Sequence, residues 1–437
     1  MEKEIIKRLI AEKQQEIASV ELVKRPVELE PAANYVFIGL RRAGKSYMMY
    51  QIIQELIKSK KITIEEVLYI NFEDERIASI KAEDLGLLLD AYKEMFALKP
   101  LIFLDEIQNI DGWEKFARRL ADSKYRVFVT GSNAKMLSKE IHSTLGGRFI
   151  AREVFPFSFQ EYLTYHNISL KNNWEYTDTR SLVVRAFQDY FYHGGFAELF
   201  VINDKRSWVN SLYQKILLGD IISRNNIRNE NAIRVLAKKI AESVMQPSSL
   251  TRMKNIVDST GTTIARNTLV EYLQFLTDAY LVFGISNFSD KLSDKETFKK
   301  RYFFDNGLLN NFLFDPETKL LENIVAIELK KTYGDDLFYY KRNIEVDFFI
   351  PKERRAIQVS YSIADDATYQ REITALIKLA ELHKLKKVEV VTFSEETSLQ
   401  ENGITIQVIP IWKWLLMPKT YKHNQSNNRA CELNEVK

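Results

Sequence analysis

The sequence predicts an α/β protein: a parallel sheet wrapped by helices, then a helical middle, then a second α/β region. Three observations predict it. Short apolar runs alternate with amphipathic stretches up to about residue 155; the rhythm breaks at PFSFQEYL; and α/β character returns from about residue 319.

Taken in order, residues 1–20 have helical periodicity, with Ile5, Ile6, Leu9, Ile10 and Ile17 set among charges. YVFIG (35–39) is a short buried strand, and 46–59 a helix with one apolar side. Strands follow at 67–72, 101–105 and 126–131, with a short helix at 113–122. Strands separated by helices imply parallel pairing. From 181 to 245 the chain reads as helical and rich in aromatic residues. Residues 249–283 predict two helices and a strand around Gly261-Thr262-Thr263, an order that suits a winged helix-turn-helix. A helix at 318–334 then leads to strands at 337–341, 344–350 and 355–361, a helix at 368–384, and strands at 387–393 and 404–409. The expected division is 1–155, 156–225 as a helical lid, 226–300 as the winged-helix segment, 301–418 as the terminal α/β domain, and 419–437 as a flexible tail.

The 437 residues exceed one ordinary core, so several domains are expected. A net charge of +3 gives no general argument for nucleic acid; only a local patch could. The N-terminus is charged throughout and does not read as a signal peptide, and no run approaches twenty apolar residues, so no membrane partner is expected. The single cysteine, Cys431, fits a cytoplasmic setting, and five scattered histidines offer no zinc pattern.

The chemistry begins at Gly39-Leu40-Arg41-Arg42-Ala43-Gly44-Lys45-Ser46, which fits GxxxxGK[ST] between a strand and a helix. Glycines let the backbone curl so that N–H groups point at phosphate oxygens, and the helix start adds its positive end. Lys45 then reaches the outer phosphates of ATP, and Ser46 offers its hydroxyl to Mg²⁺. Asp105 ends the apolar strand LIFLD and is placed to hold the metal shell; Glu106 beside it can polarise water. Ser132 and Asn133 stand at the tip of the next strand, either reaching the γ-phosphate or simply capping the following turn. Arg148 sits on the glycine turn LGGR, where it can neutralise transition-state charge in its own subunit or a neighbour's, or be a surface residue. Arg41 and Arg42 either approach the phosphates or pack on the lid.

GLRRAGKS, YINFEDER, LIFLDEIQ, VFVTGSN, LGGRF and PFSFQEYL together resemble a group of prokaryotic AAA+ superfamily predicted ATPases with a C-terminal domain of unknown function. YHGGFAE, GDIISRNNIR, YFFDNGLLN, LENIVAIEL and EVDFFI extend the resemblance over most of residues 20–415. It implies an ATPase core, a winged-helix segment and a restriction-endonuclease-like terminal domain. By position it implies Gly39, Gly44, Lys45, Ser46, Asp105 and Glu106 as nucleotide residues, Asn133 as phosphate sensor and Arg148 as the arginine of the glycine turn.

Residues 322–360 resemble the PD-(D/E)XK arrangement, in which carboxylates hold Mg²⁺ and a lysine helps prepare water. Glu322 or Glu328 fits the helical acid and Asp347 the strand acid. Gln358 and Ser360 stand where a second acid and the lysine belong. A neutral amide is a poor hard-cation ligand. Lys378 could substitute for the lysine; otherwise Asp347 and Glu322 are structural, paired with Lys341 or Arg342.

The function expected is an ATP-binding, Mg-dependent ATPase that switches or remodels an unidentified protein partner, with assembly into a homo-oligomer as one arrangement. The alternative is an ATP-dependent DNA-processing protein, with DNA held through Arg252, Lys254 and Arg266 of the winged-helix segment or cut by the terminal domain. A third reading is a scaffold that binds nucleotide without turnover, and Glu106 argues against it.

Overall fold

A computed structural model describes residues 3–137, 143–291, 295 and 298–418. The tail expected at 419–437, Cys431 included, lies outside the described residues. The chain forms two compact units that interleave in sequence. One comprises 1–174, 195–230 and 271–282; the other 175–194, 231–270 and 283–437.

The first unit is built on a five-stranded sheet of order β2-β3-β4-β1-β5. Its strands are β1 (Asn34–Ile38), β2 (Val67–Asn71), β3 (Leu101–Asp105), β4 (Val127–Gly131) and β5 (Phe149–Glu153). All neighbours run parallel, so the C-terminal ends of the strands share one edge. Continuous apolar runs bury the central strands on both faces. Tyr35, Phe37, Phe103 and Phe128 stack across them, with the Phe103 and Phe128 centroids 4.7 Å apart. Helices α1 (Lys3–Ser19), α2 (Lys45–Lys58), α3 (Gly86–Met95) and α4 (Trp113–Asp122) accompany the sheet, and α5 (Phe159–Tyr165) follows it. Buried Gln14 of α1 donates to the Val67 carbonyl, fixing that helix on β2. Ser158 and Glu161 form a capping box that starts α5.

β5 and α3 are absent from the sequence reading. β5 (FIARE) mixes charge into a half-exposed edge strand and lacks the apolar run of its neighbours.

The second unit contains α6 (Thr179–His193), and later α8 (Glu230–Glu242) and α9 (Leu250–Ser259). The first unit also carries α7 (Lys205–Lys215), which continues as a π-helix over Ile216–Ser223. α10 (Arg266–Asp278) spans a unit boundary.

A nine-stranded mixed sheet forms the frame of the second unit, in the order β13-β14-β12-β11-β10-β9-β7-β8-β6. Its members are β6 (Ser248–Ser249), β7 (Val282–Asn287), β8 (Phe298–Phe303), β9 (Phe338–Lys341), β10 (Glu345–Ile350), β11 (Arg355–Val359), β12 (Lys387–Thr392), β13 (Thr397–Glu401) and β14 (Ile404–Pro410). β11, β12 and β14 pair in parallel, whereas β10 is antiparallel to both β9 and β11. The helices α11 (Asn306–Asn310), α12 (Glu317–Tyr333), α13 (Asp366–His383) and α14 (Ile411–Leu416) complete it. The segments YHGGFAE and YFFDNGLLN meet here. A Cβ on Gly307 would lie 2.2 Å from the His193 carbonyl oxygen, so only glycine fits, and Asn306 donates to the Phe191 carbonyl. β8 and β13 were not foreseen; β8 (FKKRYF) reads as a charged linker until its lysine is seen to point inward. No helix among the described residues is long and apolar enough to cross a membrane.

Candidate functional site: a phosphate loop and its acids

The loop Gly39–Ser46 leaves the C-terminal end of β1, between β4 and β5, on the side where open parallel sheets bind ligands. Gly39 takes φ +151°, and a Cβ there would lie 2.1 Å from the Val154 carbonyl oxygen. Gly44 takes φ +92° and caps α2 without any side-chain hydrogen bond, so the first N–H groups of that helix face the loop uncapped. Arg42 also adopts a left-handed conformation, at φ 62°.

Lys45 is 4% exposed, and its ammonium donates to the Gly39 and Leu40 carbonyls, each at 3.1 Å. The Glu106 carboxylate lies 3.4 Å away. These donor and acceptor groups fit a nucleotide phosphate: an uncapped helix start, a lysine resting on its own loop, and acids facing it. Asp105 ends β3, and the Ser46 hydroxyl is one of the polar groups beside it. Asp105 also accepts from Tyr69 Oη at 2.7 Å and from the Thr130 hydroxyl. Burial, then the Glu106 charge, raise the Asp105 pKa, and the hydrogen bonds from Thr130, Tyr69 and Ser46 pull against the rise. For Glu106, burial pushes upward, but Lys45, Gln108, Arg41 and Ser132 outweigh it, leaving it below the usual carboxylate range. The Glu106 carboxylate is therefore favoured in its ionised form. Its backbone sits at φ 50° and its N–H donates to Thr130 at 2.9 Å. A serine and an acid able to share one Mg²⁺ are thus side by side.

At the tip of β4, Ser132 accepts from Gln108 Nε2 at 3.3 Å. Asn133 is buried, and its side-chain oxygen accepts from the Lys135 N–H at 2.8 Å, the local capping arrangement. Arg41 pairs with Asp220 of the π-helix through Nε at 2.8 Å and Nη2 at 3.0 Å, and with Glu73 at 2.9 Å. Arg42 pairs with Glu198 and lies over the Trp208 ring. Of the two readings open for these arginines, the structure has both held by acids.

Arg148 is not brought to this site within one chain. It precedes β5, whose Phe149 stands beside Asn34, the first residue of β1, whereas the loop follows the last. Four residues of strand put it about 13 Å from the loop end of β1. There it pairs with Asp122, and its carbonyl accepts from Asn34. A role in its own subunit is thereby corrected.

Sequence reasoning missed Arg25. Its guanidinium is buried and donates to Glu161 at 2.7 Å, to the Ala43 carbonyl of the loop at 3.0 Å, and to the Phe155 carbonyl at 2.9 Å. PFSFQEYL therefore braces the phosphate loop through Arg25. The legible signal was the S-x-x-E capping box; that Glu161 also serves Arg25 appears only in three dimensions. Thr130, Tyr69 and Asp220 were missed for the same reason.

In the second unit, Glu322 and Asp347 do come together, but around Lys300 of β8, not Lys341 or Arg342. Lys341 pairs instead with Glu345 at 2.6 Å. Lys378 is exposed on α13, and Ser360 donates to the Ser362 carbonyl at 2.7 Å. The Gln358 amide is bound to Glu372, while its oxygen accepts from the Asp347 N–H at 3.1 Å. Glu328 lies 3.8 Å from Lys331.

Comparison with known proteins places these features. The family described as "AAA domain" matches residues 33–163, and the "Domain of unknown function (DUF8612)" matches residues 184–319. The chain is 34% identical over 413 residues to "Uncharacterized protein MJ1544" of Methanocaldococcus jannaschii, covering 90% of this chain and 91% of that protein. It is 27% identical over 393 residues to an "Uncharacterized protein" of Haemophilus influenzae, covering 87% and 94%. Among solved structures, the Walker-type ATPase PABY2304 of Pyrococcus abyssi aligns over 71% of this chain and 95% of its own, at 15% identity and a TM-score of 0.38, too distant to bear on function.

Proposed function

The chain belongs to the same family as the Methanocaldococcus jannaschii protein and carries an AAA domain, and from that premise we propose that it is an ATP-binding, magnesium-dependent ATPase that acts as a conformational switch on a partner. The observation that carries the proposal is the meeting of Lys45, Ser46, Asp105 and Glu106 at the C-terminal edge of one parallel sheet. Bound ATP and Mg²⁺ supply the phosphoryl group and the charge that neutralises its oxygens. Gly39, Leu40, Ala43 and Gly44 turn backbone N–H groups toward the phosphates, and Lys45 exchanges its two carbonyl acceptors for phosphate oxygens. Ser46 and Asp105 hold the metal shell. Glu106, kept ionised beside Lys45, orients and polarises the attacking water. Asn133 and Ser132 sense the γ-phosphate from β4. Arg148 serves a neighbouring copy's site in a homo-oligomer.

In this proposal residues 156–225 form the lid, 226–300 a winged-helix segment and 301–418 a restriction-endonuclease-like domain, and the protein works in the cytoplasm. Arg41 and Arg42, paired with Asp220, Glu73 and Glu198, give the lid a grip on the loop that nucleotide can alter. Less supports the DNA alternative: of the three cations singled out, Lys254 is paired with Asp258. Phosphate release from ATP and Mg²⁺ tests the proposal. Loss of turnover in both Lys45→Ala and Glu106→Gln, with ATP binding retained in the second, is the expected result. Turnover that survives both substitutions sinks it.

A further inference from the structure

Among the described residues, Lys300 is the most deeply buried lysine of the second unit, at 1% exposure. Its Nζ lies 2.9 Å from Asp347 Oδ1, 3.4 Å from Glu345 Oε1 and 3.5 Å from Glu322 Oε1. The lysine comes from β8, two of the acids from β10, and the third from α12. Three carboxylates thus converge on one ammonium, and Glu345 also pairs with Lys341 at 2.6 Å. Glu322 is also 1% exposed, and Tyr302 Oη donates to it at 2.6 Å.

Carboxylate oxygens are the donors that a hard divalent cation takes, yet among the described residues no group of three or more acids, histidines or cysteines is arranged to hold a metal ion. We propose that Lys300 occupies the position of a divalent cation: the wild-type pocket is plugged and takes no metal, and once the lysine is removed the same carboxylates take Mg²⁺ or Mn²⁺. The second unit accordingly performs no metal-dependent phosphodiester chemistry. A lysine assisting a metal beside it would need an open approach for a substrate phosphate. Here Lys300 and Glu322 are shut from solvent, Asp347 Oδ2 is taken by the Val359 N–H at 3.0 Å, and Gln358 is committed to Glu372.

The test is Mn²⁺ titration of the full chain without nucleotide, read by the paramagnetic resonance of free Mn²⁺. Wild type and Asp347→Asn are expected to titrate alike, with no site that depends on Asp347. Lys300→Ala or Lys300→Ser gains one site per chain, at least tenfold tighter than any in wild type, and the added Asp347→Asn removes it. An Asp347-dependent site in wild type overturns the proposal, as does a folded Lys300 variant that gains none. Should neither lysine variant fold, the wild-type comparison with Asp347→Asn decides alone.

Discussion

Two buried lysines among the described residues face acids, and they are held differently. Lys45 of the first unit rests on two neutral carbonyls, with one carboxylate at 3.4 Å. Lys300 of the second is enclosed by three carboxylates. A neutral carbonyl is exchanged at small cost for a phosphate oxygen, which is a stronger, charge-assisted partner. An ammonium that compensates several buried anions cannot leave without exposing them to one another. The first arrangement waits for an anion, whereas the second is already complete. Burial of a lysine by itself therefore says little about function; the charge of its acceptors decides.

The largest expected effect separates the two on stability. Lys300→Met should cost about 3–5 kcal/mol, because it strands buried carboxylates. Lys45→Met should cost less, about 1–3 kcal/mol, because it removes charge-assisted hydrogen bonds and one neighbour of the Glu106 carboxylate. Urea denaturation of both variants measures the contrast, and equal costs would erase the distinction. Next comes activity. Lys45→Ala should lower ATP turnover on the order of 10²- to 10³-fold, the usual loss when a positioned charge donor is removed, and Lys300→Met, where folded, should leave turnover within a few-fold of wild type. Steady-state phosphate release reads both.

A smaller effect is expected at Thr130, which accepts from the Glu106 N–H and donates to Asp105. Thr130→Val leaves both short of a partner and should cost about 1–3 kcal/mol, measured by the shift of the urea midpoint, with turnover falling alongside. The smallest is a pH dependence in the second unit. Glu322 has a folded pKa raised to about 7, above its ordinary carboxylate value, so the folded state binds the proton more tightly. That contribution is fully present below the ordinary value and is lost as pH rises toward 7. The urea midpoint of wild type should fall across this window, and Glu322→Gln should flatten the fall. A Gln variant with the same pH profile as wild type would remove Glu322 as the source.

Much of the first unit was legible because its signals are local. GxxxxGKS, the apolar strand ending in Asp105-Glu106, and the 3.6-residue rhythm of the helices each lie within a dozen residues. β3 and α4 run between the residues that the pattern predicts, 101–105 and 113–122. What escaped depends on partners far away in the chain. Arg25 reaches Glu161, Arg41 reaches Asp220, and Lys300 reaches Asp347; Arg25, Glu161, Asp220 and Lys300 look like ordinary charged surface residues when read in sequence, and nothing local to Arg41 or Asp347 names its partner. The interleaving of the two units was hidden likewise, since no composition shift marks where the chain leaves one and re-enters it.

The sequence by itself determined the parallel sheet, the phosphate loop at the end of β1 and the acids at the end of β3. Local periodicity and a fixed motif are enough for these, because neighbouring residues share one backbone path. Only the tertiary structure decided that Arg148 stands at the other end of the sheet from the loop, that PFSFQEYL braces the loop through Arg25, and that the charge balancing Asp347 comes from β8. Those outcomes depend on which strands become neighbours and which face of each is buried. Pairing between distant strands is settled by packing the whole core, and a charge takes its meaning from whatever that packing places beside it.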